Sequence, residues 1–309
     1  MSLCRGTISI LAFLFCQISH VPWLCTVASF TVAVILALFT AVVYGVADYS
    51  GGRASRTASS ASVTLVGQSL SFAIIICLVV ILGDPLASTH DLVISAIAGI
   101  AGSMGLLAFY KAMSSGSMTV VAPITALVGT IVPVAWGLAS GERPGVVAYF
   151  GMAVAVLAVA LVTDAFGIHN VKTPLSIVAM AVTGGLCFAV IFIALDYTSP
   201  DAGLWPLFAL RSVSVPLILV VVLSTKKPMV LRGPALKFAL LSGLLDSLAN
   251  GSYLFAAREG LLSVVAVISS LYPVSTLLLA TKVDKEHLHK TQWVGVGCAL
   301  MALILVSVG

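Results

Sequence analysis

Apolar runs of about twenty residues, set one close behind another, constrain this chain more than any other feature. Ten of them emerge, at approximately 33–52, 61–83, 91–111, 118–138, 145–164, 174–195, 203–223, 235–257, 262–281 and 291–308. A hydrocarbon core about 30 Å thick is crossed by roughly 20 helical residues, so each run is long enough to span a bilayer. The connections are short, as in Gly83-Asp84-Pro85, Gly141-Glu142-Arg143-Pro144 and Ser199-Pro200-Asp201, which makes consecutive helices antiparallel neighbours. The runs are apolar on nearly every side, as lipid-embedded helices are and surface helices of soluble domains are not. Composition agrees: 8% of residues are charged, 60% are apolar, and mean hydropathy is +1.18. Soluble domains carry roughly 25% charge. Soluble enzymes, nucleic-acid readers and disordered tails are thereby excluded. The expected fold class is all-α integral membrane, with membrane lipid as a partner and no nucleic acid.

The segment before residue 33 complicates the count, because Ile8 to Thr26 is another apolar run, interrupted by Gln17, His20 and Pro22. It reads as an eleventh helix, as a signal-like segment, or as an extension from an upstream start. The lack of a small-x-small cleavage pattern weakens the signal reading. Residues 1–32 are therefore expected to be an extra, loosely attached hydrophobic segment. Cys4, Cys16, Cys25, Cys77, Cys187 and Cys298 all lie in or beside apolar stretches without CxxC spacing, and they read as small packing residues rather than as disulfides or metal ligands.

Sliding the chain against itself is more informative. An offset of 144 aligns residues 92–162 with 236–306 without a gap. It matches Gly99 with Gly243, Ser103 with Ser247, Ala112 with Ala256, Gly116 with Gly260, Val120-Val121-Ala122 with Val264-Val265-Ala266, Glu142 with Glu286, and Gly151 with Gly295. An offset of 143 carries Gln68 onto Arg211. Apolar matches arise by composition alone, so the glycines and the rare matched glutamate carry the weight. The chain reads as two five-helix halves, residues 33–164 and 174–309. Five is odd, so the second half enters the bilayer from the opposite face. Inverted repeats place a substrate site at their interface near the midplane and expose it alternately to the two sides.

Two copies of five apolar segments, a Gly-Glu-Arg-Pro turn after the fourth, Tyr272-Pro273 in the ninth and Lys285-Glu286 after it together resemble the EamA family of the drug/metabolite transporter superfamily. The resemblance covers about residues 33–309. It implies a ten-helix carrier that exports or exchanges small metabolites, such as amino acids, across the bacterial cytoplasmic membrane. The first half departs from the pattern: Gly129 stands where the repeat places the counterpart of Pro273, and a proline falls instead at Pro133, so the fourth-helix kink is expected to be displaced.

Lys and Arg are unevenly shared. Eleven fall in or beside the connections after the odd-numbered helices and two after the even-numbered ones, with Arg5 and Arg211 outside both groups. The positive-inside rule places the odd connections in the cytoplasm. Gly309 then faces outward, whereas the resemblance implies two cytoplasmic ends; an added N-terminal helix starting inside at Arg5 reconciles them.

Ionisable side chains within the bilayer cost at least about 2.5–3.5 kcal/mol at its centre on insertion scales, so each asks for a partner or a wet cavity. Arg211 lies a third of the way into the seventh run, with Ser214 one turn later. Its planar fork suits a substrate carboxylate, or equally a structural tie between helices. Asp246 lies midway along the eighth run with Asn250 and Tyr253 at i+4 and i+7, a polar stripe on one face. That stripe is expected to line a cavity, with Asp246 as the candidate for proton coupling; the alternative is that Asp246 simply pairs with Arg211. Gln68 is the repeat counterpart of Arg211. Tyr44, Tyr110 and Tyr272 are helix tyrosines that could contact a ligand or anchor at the interface, and Tyr272, preceding Pro273, sits where the helix loses a backbone hydrogen bond. Asp48, Asp196, Arg258 and Glu259 fall at predicted helix ends and read as wet charges near loops.

The expected substrate-binding set is Gln68, Arg211, Asp246, Asn250, Tyr253 and Tyr272. No P-loop, HExxH or GxSxG is present, so no cofactor, metal or catalytic role is assigned and gradient-driven transport of a small polar molecule is the leading expectation. A channel would need a continuous polar pore. A membrane-embedded lipid enzyme would need interfacial His, Asp or Glu, and His20, His90, His169, His287 and His289 are scattered.

Overall fold

The computed structural model describes residues 22–115, 118–162, 174–283 and 290–308. Every regular element among them is helical: α1 Pro22–Thr57, α2 Ser60–Leu82, α3 Thr89–Ser115, α4 Met118–Ala139, α5 Val146–Val162, α6 Leu175–Asp196, a 3-10 turn Pro200–Ala202, α7 Trp205–Ser224, α8 Gly233–Glu259, α9 Leu262–Ser269, α10 Tyr272–Val283 and α11 Lys290–Val308. Among the described residues, six segments are long and apolar enough to cross a membrane: Ser29–Thr57, Ser60–Leu82, Thr89–Ser115, Leu175–Asp196, Trp205–Ser224 and Leu262–Val283. α8 is not among them although it has 27 residues, because Asp246, Asn250 and several serines interrupt its apolar run. It packs against α1 and α2, which cover those polar positions.

Most elements begin and end close to the apolar runs. α1 does not: it starts at Pro22 and continues to Thr57, well outside 33–52. Residues 22–32 are thus continuous with the first crossing helix, while residues 1–21 lie outside the described residues. The ninth run is broken between Ser269 and Tyr272. Pro273 has no N–H for the Ser269 carbonyl, and Leu271 N–H and the Val274 N–H turn to tight bonds, to Ile268 O at 3.1 Å and to Leu271 O at 3.0 Å. No matching break occurs in α4, which runs on through Pro133. Packing against α6 and α9 holds α4 across the hydrogen bond that Pro133 cannot make.

Packing pairs are preserved when the halves are exchanged. α1 lies on α8 as α6 lies on α3, α2 on α8 as α7 on α3, and α9 with α10 on α1 as α4 on α6; α2 meets α7 and α5 meets α11. Two close crossings show why glycines recur at the 144-residue offset. A Cβ on Gly243 would run into the Gly67 backbone, and one on its counterpart Gly99 would run into the backbone of Leu210. The offset of 143 that relates Gln68 to Arg211 also relates Gly67 to Leu210. Backbones this close admit only hydrogen, as in small-residue helix contacts within membranes. Outward-facing side chains such as Val80, Ile81, Phe150, Leu300 and Ile304 are more than half exposed, the arrangement a lipid solvent requires.

Candidate functional site

Between the two halves lies a cavity with about 480 Å³ of space free of protein atoms, its opening included. Its polar side is formed by Tyr44 and Asp48 of α1, Arg211 of α7, Asp246 and Asn250 of α8, and Tyr272 at the start of α10. Its apolar side is formed by Gly102 and Leu106 of α3 and by Phe188, Ile191 and Phe192 of α6. The two sides are related by the repeat. Tyr44 and Phe188, Asp48 and Phe192, Gly102 and Asp246, and Leu106 and Asn250 are each 144 apart, and all eight line the cavity. Backbone positions have been kept while their chemistry has been divided, polar on α1 and α8, apolar on α3 and α6.

Arg211 is 4% exposed, and each of its three guanidinium nitrogens donates to the protein. Nε donates to Ser71 Oγ at 2.9 Å, Nη1 to Gln68 Oε1 at 2.7 Å, and Nη2 to Asp246 Oδ2. Asn250 Nδ2 donates to the other carboxylate oxygen, Asp246 Oδ1, at 3.0 Å, and Ser214 Oγ donates to Gln68 Oε1 at 2.8 Å. Ser247 Oγ in turn donates to Ser71 Oγ at 2.7 Å. The result is a neutral network that ties α2 and α7 to α8 with both charges paired, as buried ions in lipid must be. Gln68 faces away from the main cavity into a smaller hollow of about 220 Å³ with Thr64, Tyr110 and Ser242. Asp246 and Leu106 border both spaces.

At the end of the bundle that carries the α2–α3, α4–α5, α6–α7 and α8–α9 connections, polar ties join the halves. Glu142 accepts the Leu262 and Ser263 N–H groups at 2.7 and 3.0 Å, so a carboxylate sits on the N-terminus of α9, where the helix dipole favours it. Asp91 accepts the Ser199 N–H at 2.9 Å, and Arg258 Nη2 donates to the Ser199 and Gly203 carbonyls at 3.2 and 2.9 Å.

A profile of the EamA-like transporter family matches twice, over residues 31–164 and 175–308, two stretches offset by the same 144 residues as the repeat. The chain belongs to the EamA-like transporter family. It is therefore a multi-pass membrane protein of the drug/metabolite transporter superfamily. Among solved structures, 27 chains match; one, described only as a crystal structure of a protein, superposes with a TM-score of 0.68 over 89% of this chain and 98% of that chain at 13% identity, a likeness of fold alone. No curated protein matches.

Of the residues expected from the sequence to bind substrate, this EamA family protein brings Arg211, Asp246, Asn250 and Tyr272 to one cavity. Gln68 joins them only through Arg211 and Ser214. Tyr253 does not line the cavity: it is 0% exposed and stacked on Phe192 with ring centroids 4.4 Å apart. Its repeat counterpart, Phe109, is equally buried and packs on Phe188, so both are wedges between α8 and α6 or α3 and α6. Tyr44 lines the cavity and Tyr110 lines the smaller hollow, where its hydroxyl meets Ser242 Oγ at 2.8 Å. Asp48 corrects the sequence reading most sharply. It lies nine residues inside the end of α1, 7% exposed, on the cavity wall, and not in a wet loop. The signal that could have found it is the offset of 144, which carries Tyr44 and Asp48 onto Phe188 and Phe192, inside the sixth apolar run. Among the described residues no group of three His, Cys, Asp or Glu could hold a metal.

Proposed function

We propose that this protein is a gradient-driven carrier, an exporter or exchanger of a small polar metabolite such as an amino acid, in the bacterial cytoplasmic membrane. Ten crossings in two inverted halves would rock against each other and open the central cavity alternately to the two faces. The observation that carries this reading is the cavity itself, built from counterpart positions of both halves and lined by Arg211, Asp246, Asn250 and Tyr272, with Gln68 and Tyr253 supporting them from behind. A cavity that draws its walls from both of two exchangeable units changes shape whenever they move. No enzymatic role is part of this proposal. Proton coupling is, at a cavity carboxylate: Asp246, singled out in the sequence, or Asp48, which the fold adds. The break before Tyr272 supports the reading too, since interrupted helices border transporter sites.

The test is uptake and efflux of a panel of labelled amino acids, amines and organic acids in proteoliposomes, with and without a pH gradient. At least one compound is expected to accumulate against its own gradient when a pH gradient is imposed. If every compound only equilibrates, at a rate that never saturates, the protein is a pore and the carrier reading fails.

A further inference from the structure

Besides tyrosines, the cavity is lined by three acidic or basic side chains: Arg211, Asp246 and Asp48. Two of them cancel. Arg211 and Asp246 are joined directly, the Nε and Nη1 groups of Arg211 donate to Ser71 and Gln68, and the guanidinium makes no ion pair with Asp48. Asp48 is buried, and among the described residues its carboxylate makes no hydrogen bond and no ion pair. The side chains whose fields meet its own are the neutral phenols of Tyr44 on α1, Tyr110 on α3 and Tyr272 on α10, and Asp246 on α8, of like sign. α2, α4 and α9, which also pack on α1, bring no ionisable group to it.

A carboxylate in that position does not remain a bare anion, since an uncompensated charge away from water is far costlier than its neutral form. It holds a proton, or it holds a cation that arrives from outside. The space in front of it selects which cation. Opposite the polar side stand Phe188, Ile191 and Phe192, and Tyr44 lies edge to face with Tyr272 at 6.4 Å, so the occupant meets rings on several sides. Aromatic faces attract ammonium groups and cover apolar carbon. With Arg211 and Asp246 paired to each other, Asp48 is the carboxylate left to compensate, which favours an ammonium group in front of it over an anion.

We infer that Asp48 is the cation site of this cavity, binding the ammonium group of an organic amine whose apolar body lies against Phe188 and Phe192, in exchange for a proton. This rests on the carrier reading for its role in transport, but binding itself does not. Charge is conserved in the exchange: the protonated carboxyl plus the ammonium gives the carboxylate–ammonium pair and one released proton, with no covalent bond made other than that proton's transfer to water or buffer.

The experiment uses the full chain in lipid nanodiscs and 2-phenylethylammonium as the probe, with 2-phenylethanol, phenylacetate and ethanolammonium as the neutral, anionic and non-aromatic controls. Binding is measured by calorimetry in two buffers of different ionisation enthalpy, which reports protons released. The probe is expected to bind with a proton released at pH values where the free carboxyl is protonated, and each control to bind at least about tenfold more weakly. In Asp48→Asn the proton release should vanish and affinity fall by about tenfold or more, while Asp48→Glu restores both. The Asp48→Asn protein should be at least as thermostable as the wild type, because no partner is lost, so its loss of binding is not a loss of fold. Equal binding of phenylethanol or phenylacetate, proton release that survives in Asp48→Asn, or no binding of the probe would each overturn the assignment. The carrier reading stands apart: if Asp48→Asn still pumps a neutral or anionic metabolite, this inference fails and the carrier remains, whereas tight, proton-releasing binding without flux in proteoliposomes sinks the carrier and leaves the site.

Discussion

Arg211 and Asp246 show how a membrane interior decides between two roles that a residue type allows. A guanidinium offers five N–H donors in a rigid plane, and here each of its three nitrogens has a protein acceptor. Removing one partner strands the other. Asp246→Asn is therefore expected to lower stability by about 3–5 kcal/mol, read as thermal unfolding of the protein in detergent, and the double variant Arg211→Gln/Asp246→Asn is expected to lose less than the sum of the two single changes; strict additivity would show that the pair is not coupled. Tyr253 makes the opposite case. Its hydroxyl reaches the Phe192 carbonyl only at 3.5 Å, so Tyr253→Phe should change both transport and stability little, while Tyr253→Ala should cost about 3–5 kcal/mol through the void it leaves. Period and polarity in the sequence were enough to pick out Asp246 and Asn250, because a polar stripe on an apolar helix has few places to go. They could not separate Tyr253, one face-turn further, since which neighbour lies over a given turn depends on helix crossing and not on spacing. Asp48 was hidden by its surroundings: Asp48-Tyr49-Ser50-Gly51-Gly52-Arg53 has the composition of a loop. Packing overrides that propensity. The Tyr110 ring lies where a Cβ on Gly51 would stand, so the glycine that reads as a breaker is the residue that lets α3 approach an unbroken α1.

Element boundaries were legible wherever a long apolar run ended in punctuation, and less so where tertiary contacts decide. The interruption before Tyr272 follows from Pro273, yet Pro133 in α4 produces no break, because neighbouring helices can hold a segment that has lost one hydrogen bond. What stabilises the short α9, with only eight residues, comes from outside the ninth crossing. Glu142, legible in the sequence only as a rare charge shared by both repeats, reaches from the α4–α5 turn to the first two N–H groups of α9. Glu142→Gln is expected to cost about 1 kcal/mol through the weakened cap, seen as faster amide hydrogen exchange at Leu262 and Ser263; unchanged exchange there would mean that the carboxylate is not the cap. Its repeat counterpart Glu286 lies outside the described residues. Close crossings give a second prediction. Gly243→Val must separate α8 from the Gly67 backbone, and Gly99→Val must separate α3 from Leu210, so each should lose about 1–3 kcal/mol or more, whereas Gly83→Ala, which faces open space at φ +64°, is burdened only by its left-handed backbone.

At the scale of the whole molecule, the duplicated packing pairs and the twin family matches make two units plain, and the proposed inversion has a direct check. Leu86, in the connection after α2, and Met229, in the connection after α7, are both exposed. In a chain with its own cysteines replaced by serine, Leu86→Cys and Met229→Cys are expected to react with a membrane-impermeant maleimide from opposite faces of sealed vesicles; labelling from one common face would mean that the halves are parallel. The unequal cavity walls bear on what such a machine can do. Two identical halves related by a two-fold axis would make the conformations open to either face equal in energy, and cargo would be treated alike on both. Here the repeat survives in the packing of the helices and is broken in the side chains, with acid and phenol on one pair of helices and hydrocarbon on the other. Under the proposed inversion, that divergence would let the two faces differ in affinity and would give a sense of direction to a body whose shape alone has none.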